Sequence, residues 1–355
     1  TLGFIDIDQN NLFIKDGWEF QADANYTNIT VYDTLTRINA SSVVINASTL
    51  FSEGDFNMTC VNTGYDIEFN FLADANFSNT TIKNLATAGG DCDLVNLIAS
   101  SNTQDYYTDL VIEANNNITL DFGANLTIDS STLTLNNNQD WIILDYNPQL
   151  TLQSTTITGN LDWLLANFTI YSGSSISANS RGCPNSTSPN SNHVCENQGT
   201  TAVGYGEGMD DINDGGGGGA YGGRGGRNGN NENQGGLTYG DPLAPIFLGS
   251  GGGKGDSDAE GGTGGGAIKI NVTDTFEHNG TITSNGGAGN PSEGNNEAGG
   301  GGSGGSIWII TDILSGNGSF TADGGQGASD PSGDDGGGGS GGRIAVYYNT
   351  ISEID

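Results

Sequence analysis

The residues best suited to chemistry in this chain are acids. Glycoside hydrolysis needs two carboxyl groups held across one bond, and Asp210 beside Asp211 offers such a pair. The setting argues against it. The pair follows Met209 in a glycine-rich insert, and the Gly-His-Gly and Arg-Ile-Lys elements that accompany paired aspartates in pectin-cleaving hydrolases are absent. A β-eliminating lyase needs an Arg or Lys base near calcium-binding acids, and the whole chain holds nine basic residues. No catalytic residue is assigned on this basis.

Metal chemistry is equally thin. Cys60, Cys92, Cys183 and Cys195 show no C-x-x-C spacing, and only His193 and His278 exist to complete a zinc set. No metal ligand and no cofactor are assigned. Three acid clusters leave calcium binding open, since calcium takes several oxygens from flexible loops: Asp210, Asp211 and Asp214; Asp256, Asp258 and Glu260; Asp330, Asp334 and Asp335. A solvated acidic loop accounts for each as well. The stretch from Gly252 to Asp258 puts Ser257 where a calcium-binding nonapeptide repeat needs Asp, and GGQGASD from Gly324 misses that repeat by one residue. GSGGGKG around Lys254 lacks both the leading Gly and the Ser or Thr of a phosphate-binding loop. Trp141 and Trp163, read as equivalent positions, could stack a sugar, although a buried aromatic stack explains them better.

Covalent modification is better supported. Disulfides explain the four cysteines, and proximity favours Cys60 with Cys92 and Cys183 with Cys195, which places the chain in an oxidising compartment. Fourteen N-x-S/T sequons fall at Asn25, Asn28, Asn39, Asn46, Asn57, Asn76, Asn79, Asn117, Asn125, Asn167, Asn185, Asn271, Asn279 and Asn317. Several recur in phase with internal repeats. Alternation in ANLTI turns Leu126 and Ile128 inward and Asn125 and Thr127 outward, where a glycosyltransferase could reach them. N-glycans are therefore expected; the competing role for repeated Asn is a hydrogen-bonded ladder along the stack.

The elements that must carry these residues repeat. ITLDFGANLTIDSSTLT (118–134) returns as IILDYNPQLTLQSTTIT (142–158), an offset of 24, and a third copy follows in which Asp162-Trp163-Leu164-Leu165 echoes Asp140-Trp141-Ile142-Ile143. ADANYTNITV from Ala22 returns at Ala73, an offset of 51 or about two coils. Apolar residues alternate with period two, and no stretch shows helical periodicity. Short strands at this spacing without tight hairpin turns predict an all-β fold, a parallel right-handed β-helix of ten to twelve coils with glycine-rich loop insertions. A β-sandwich is the alternative.

Beyond residue 200, GGTGGGAIKINV (261–272), GGGGSGGSIWII (299–310) and GGGGSGGRIAVYY (336–348) each run a glycine tract into an alternating strand, and NGTITSNGG from Asn279 returns at Asn317. Glycine permits positive φ and close approach, so the tracts are expected to be ordered turns against the coil edge. The succession GGGGGAYGGRGG, YGDPLAPIFLGSGGG, then these tracts, over roughly residues 170–348, resembles the glycine-rich regions of large secreted or cell-surface proteins of plants, protists and some bacteria. That resemblance implies a pectin-lyase-like β-helix and an extracellular location rather than an activity. Three regions are expected: N-terminal sequon-rich coils over 1–182, a disulfide loop and glycine-rich insertion over 183–248, and glycine-rich β-helix repeats over 249–355.

Composition sets the partners. Forty-two acidic against nine basic residues give a formal charge of -33, which repels nucleic acid and anionic membrane surfaces. No run approaches the roughly 20 apolar residues of a membrane span. Sixty glycines lack the every-third spacing of collagen, and recurrent apolar strands exclude wholesale disorder. The sequence opens at Thr1 without a leader, as expected of a processed protein or a fragment. The expected function is an extracellular structural glycoprotein whose copies stack head to tail into a surface or matrix filament, with Leu2 to Ile7 as a strand received by a neighbour. The alternatives are a module that binds cell-surface or matrix carbohydrate and, third, a polysaccharide-cleaving enzyme.

Overall fold

The structure is a computed structural model. It describes strand backbone through residue 145, and backbone with side chains over 149–189, 215–229, 235–255, 259–291, 297–329 and 334–352, together with 126–128, 130–134, 141, 142 and the short strand at 195–196. No helix occurs among the described residues. The N-terminal strands are β1 (Leu2–Asp6), β2 (Asn11–Lys15), β3 (Trp18–Phe20), β4 (Ala24–Val31), β5 (Thr34–Ile38), β6 (Ser42–Glu53), β7 (Phe56–Cys60), β8 (Tyr65–Phe71), β9 (Ala75–Lys83), β10 (Cys92–Ala99) and β11 (Gln104–Ala114).

Three-strand coils follow: β12 (Ile118–Phe122), β13 (Asn125–Asp129) and β14 (Thr132–Leu135); β15 (Trp141–Asp145), β16 (Gln149–Gln153) and β17 (Thr156–Thr158); β18 (Asn160–Leu165), β19 (Asn167–Ile170) and β20 (Ser175–Ser177). After the two-residue strands β21 (Ser188–Pro189) and β22 (Cys195–Glu196), the coils resume as β23 (Ala267–His278) with β24 (Thr281–Thr283), β25 (Ser306–Ser315) with β26 (Ser319–Thr321), and β27 (Arg343–Tyr347) with β28 (Thr350–Ser352).

The strands stack in parallel register as a β-solenoid. One ladder runs β12, β15, β18, β23, β25, β27. A third face runs β14, β17, β20, β24, β26. The longest, β2, β4, β6, β9, β11, β13, β16, β19, β23, β25, β28, passes through eleven described strands, in line with the expected ten to twelve coils. The exceptions to parallel pairing are β1 with β2 and β21 with β22. Leu2–Asp6, expected to serve a neighbour, thus folds back on Asn11–Lys15 of its own chain.

The 24-residue repeat sets register as read: Leu126 faces Leu150 and Thr132 faces Thr156. The next coil is shorter. Leu144 faces Trp163 and Trp141 faces Asn160, so the two tryptophans are not equivalent. Parity decides their fates: Trp163 points inward and is 1% exposed, donating its indole N–H to the Ile142 carbonyl at 3.0 Å, while Trp141 points outward. The 51-residue repeat does join strands two coils apart, but through β6 at a 46-residue register, with Thr30, Phe51 and Asn76 in line. Asn25 faces Asn46 instead.

The interior is a column of stacked apolar side chains, among them Leu150, Phe168 and Phe276; the last two rings are stacked nearly parallel with centres 5.0 Å apart. One corner is polar. Ser131, Thr155 and Ser174 occupy equivalent buried positions, each linked to the next by a backbone N–H donating to a hydroxyl. Beside them Ser130, Ser154 and Gly173 hold φ of 50°, 47° and 91°. Serine tolerates this left-handed corner at modest cost, and the hydrogen bonds repeated at every level hold it.

The glycine tracts are not turns. Segment 298–306 shows their order. Its successive N–H groups cycle with period three: Ala298, Gly301 and Gly304 donate to carbonyls of Asp334, Gly337 and Ser340; Gly299, Gly302 and Gly305 to Asn290, Gly287 and Ser284; Gly300 and Ser303 to Gly253 and Ser250. Its carbonyls accept from three further segments, through Gly216 and Gly219, Gly262 and Gly265, and Gly325 and Ala328. These bonds span 2.7–3.0 Å. A strand whose amides point in three directions at three residues per turn, with no bond inside itself, is an extended helix of the polyproline II type, here surrounded by six like neighbours. The described tract glycines avoid the left-handed region except at Gly240. Glycine is needed for approach instead: a Cβ on Gly300 would strike the Gly217 carbonyl, and one on Gly302 the Thr263 carbonyl.

Candidate functional site

The outward row that opens the first face is where coils and glycine bundle meet. Trp141, Asn160, Ala267, Ser306 and Arg343 lie in register on successive coils. Asn160 accepts the Ala267 N–H at 2.9 Å and donates to the Arg181 carbonyl at 3.3 Å. Ser306 shares a 2.7 Å hydrogen bond with the Tyr221 hydroxyl, and Arg343 donates to the Tyr239 carbonyl at 2.8 Å while its guanidinium lies 5.3 Å from the Tyr221 ring centre. Burial pushes both phenols up, Tyr221 moderately and Tyr239 strongly, so both stay protonated. Tyr239 can then donate to the Leu248 carbonyl at 2.6 Å and receive Ser250 at 3.0 Å. The Cys183–Cys195 disulfide, with Cα atoms 5.4 Å apart, forms as expected and packs with Leu248, Ala267 and Trp141.

Beside this junction a groove of about 430 Å³ opens, lined by Trp141, Asp162, Pro245, Ile246, Ala267, Ile268 and Lys269. Its lining comes from the β15, β18 and β23 strands and from the segment through Pro245 and Ile246. Lys269 pairs with Asp162 at 3.0 Å on adjacent coils and lies 5.8 Å from the Trp308 ring centre on the next. Both charged side chains are partly exposed, so the pair adds little stability and leaves donors and acceptors at the rim. Among the described residues that line the groove, Asp162 is the one acid. An aromatic wall beside a charged pair can stack a ring and hydrogen-bond hydroxyls.

The other candidates form no site among the described residues. Asp210, Asp211, Asp214, Asp256, Asp258, Asp330 and His193 lie outside the described residues. Among those described, no three His, Cys, Asp or Glu gather as a metal site. The glycines before Lys254 bond within the bundle, Gly251 to Thr187, Gly252 to Gly262 and Gly253 to Gly217. His278 is 2% exposed, between Phe276 and Phe320 at 5.4 and 4.6 Å, and burial holds its pKa below the ordinary value. It has no access to substrate.

Of the sequon residues, Asn39 and Asn117 lie outside the described residues; Asn25, Asn28, Asn46, Asn57, Asn76, Asn79 and Asn125 sit on strands described by backbone alone. Asn317 is exposed, and Asn167, Asn185, Asn271 and Asn279 are half-buried. Two of them bridge coils: the Asn167 side-chain oxygen accepts the Thr275 N–H at 3.2 Å, and that of Asn279 accepts the Asn317 N–H at 3.1 Å. A glycan joins the nitrogen, so this ladder and a sugar are compatible at one residue. Cys60 and Cys92 lie on β7 and β10, whose side chains are not described. The sequence reading missed Trp308, Lys269 and Pro245-Ile246; only the fold brings them near one another. Compared with known protein families, curated proteins and solved structures, the chain matches none.

Proposed function

We propose that this protein is an extracellular structural glycoprotein, a rigid rod whose copies join end to end in a surface or matrix filament. One observation carries the reading. Ile307 is 0% exposed, yet its register partner on the outermost described coil, Ile344, is 44% exposed, and Ile351 on the same coil is 57% exposed. Among the described residues no strand pairs with the far edge of this coil, so its partly exposed isoleucines and strand edges offer what another coil would cover. Covering the half of each isoleucine still exposed is worth roughly 1 kcal/mol. Sedimentation velocity and electron microscopy test the reading: assembly that rises with concentration and collapses in Ile344→Asp with Ile351→Asp supports it, and a strictly monomeric parent chain at millimolar concentration sinks it. Mass spectrometry of native material for glycans on the outward sequons, Asn271 and Asn317 among them, tests the glycoprotein part.

The groove favours a second reading, a carbohydrate-binding module. Glycan-array binding that disappears with Trp141→Ala while the chain stays monomeric would select it over the filament.

A further inference from the structure

The glycine bundle grows layer by layer with the coils, and its donors repeat with it. Register across β23, β25 and β27 makes Gly262, Gly301 and Gly338 equivalent, and likewise Gly265, Gly304 and Gly341. Gly262 and Gly265 donate to Gly300 and Ser303 one layer on; Gly301 and Gly304 donate to Gly337 and Ser340 one layer further. A companion series does the same: Ser180 donates to Asn285 and Gly286 to Asp323, and Gly324 is next in line. The N–H groups of Gly324, Gly338 and Gly341 meet no described acceptor. The carbonyls of Gly336 and Gly339 are in the same position, although their equivalents on Gly299 and Gly302 accept from Ala328 and Gly325. Gly338 and Gly341 are exposed, and a Cβ on either would find nothing nearer than 3.9 and 3.8 Å.

We propose that this outer layer is a docking surface for a further glycine-rich polypeptide strand in the three-fold extended conformation, which completes the lattice around segment 334–342. Continuity fixes the occupant. The positions without a described partner repeat interfaces already made twice inside the chain, and the spacing in those interfaces rejects side chains, as the carbonyls facing Gly300 and Gly302 show. A strand in β conformation offers its groups in two directions and cannot match donors that recur every third residue. The inference stands on backbone donors in the bundle, independently of the apolar coil end on which the filament reading rests.

The test uses the whole chain, isotopically labelled, and a synthetic peptide of its own 297–306 sequence, EAGGGGSGGS. Amide resonances of Gly338 and Gly341, whose series donates to segments of the 297–306 type, should exchange rapidly in the free chain, then shift and gain at least tenfold protection at millimolar peptide. A peptide with Ala at its fourth and sixth positions, the places of Gly300 and Gly302, should leave them unchanged. Gly338→Val with Gly341→Val has room in the monomer, so its thermal unfolding should match the parent while the peptide response is lost. Amides already protected in the monomeric free chain, or unmoved at about 10 mM peptide, overturn the proposal. Filaments that form without protection at these amides would leave the filament reading intact and refute this one; peptide docking on a strictly monomeric chain would do the reverse.

Discussion

In coil 160–177 the residues turned inward are Leu161, Trp163, Leu165, Phe168, Ile170 and Ile176, all essentially inaccessible. In segment 298–306, equally enclosed, the chain reads AGGGGSGGS and turns its own amides and carbonyls toward its neighbours. Both regions are layers repeated in register. The coils are stabilised by apolar area and keep their backbone bonds for two ladder neighbours; the bundle has almost no apolar side chains and spreads its backbone bonds over six. One is therefore sensitive to losing atoms and the other to gaining them.

The coil half of this contrast predicts the largest effect. Phe168 lies between Trp163 and Phe276, at 5.7 and 5.0 Å. Phe168→Ala should destabilise the chain by about 3–5 kcal/mol in denaturant unfolding, because the stack cannot collapse around the void. A loss under about 1 kcal/mol would mean the column is not close-packed. Next comes the clamp between the regions. Removing the Cys183–Cys195 bond, which closes a 12-residue separation, should cost about 3 kcal/mol. Local amide exchange should place that loss in the bundle and at Trp141 rather than in the coils before 135.

Gly300→Ala probes the bundle's interior. The new methyl meets the Gly217 carbonyl, backbone that cannot rotate away, and the expected cost is about 1–3 kcal/mol. A neutral result would show the lattice is loose.

His278 titrates the coil interior near the last described coils. Phe276, Phe320 and the backbone of Gly316 and Gly318 enclose it, and the Ser319 carbonyl at 3.2 Å is its hydrogen-bond partner. Burial depresses its pKa from 6.5, and that carbonyl offsets the shift only in part. The folded chain thus refuses a proton that the unfolded chain accepts. Stability should be unaffected above about pH 6.5 and should fall as pH drops below it, until the folded pKa is reached. His278→Phe should flatten that portion of the profile; an unchanged slope would assign it to carboxylates.

What was legible in the sequence followed from side chains. Leu126 over Leu150 and Asn279 over Asn317 were readable because apolar alternation and sequons repeat at fixed offsets. Trp141 and Trp163 were misaligned because the third coil drops about five residues, and identical residue types three positions apart outweighed parity. The bundle was hidden for a deeper reason. Gly300 bonds to Gly253 and Gly262 and abuts Gly217, and glycine carries no side chain by which distant positions could advertise their pairing. The groove was hidden likewise, since Pro245 and Ile246 reach Trp141 only after the excursion of residues 178–266 has folded.

The smallest expected effect separates two adjacent glycines. A Cβ on Gly339 would strike the Gly302 carbonyl, whereas one on Gly338 faces open space. Gly339→Ala should therefore behave like Gly300→Ala, at about 1–3 kcal/mol. Gly338 lies outside the left-handed region, so Ala fits its backbone and narrows the unfolded ensemble. Gly338→Ala should change stability by less than about 1 kcal/mol, toward stabilisation. Paired denaturant curves decide it: equal losses at both positions would mean that glycine is demanded by conformation, and a loss confined to Gly339 would mean that it is demanded by a neighbour already in place.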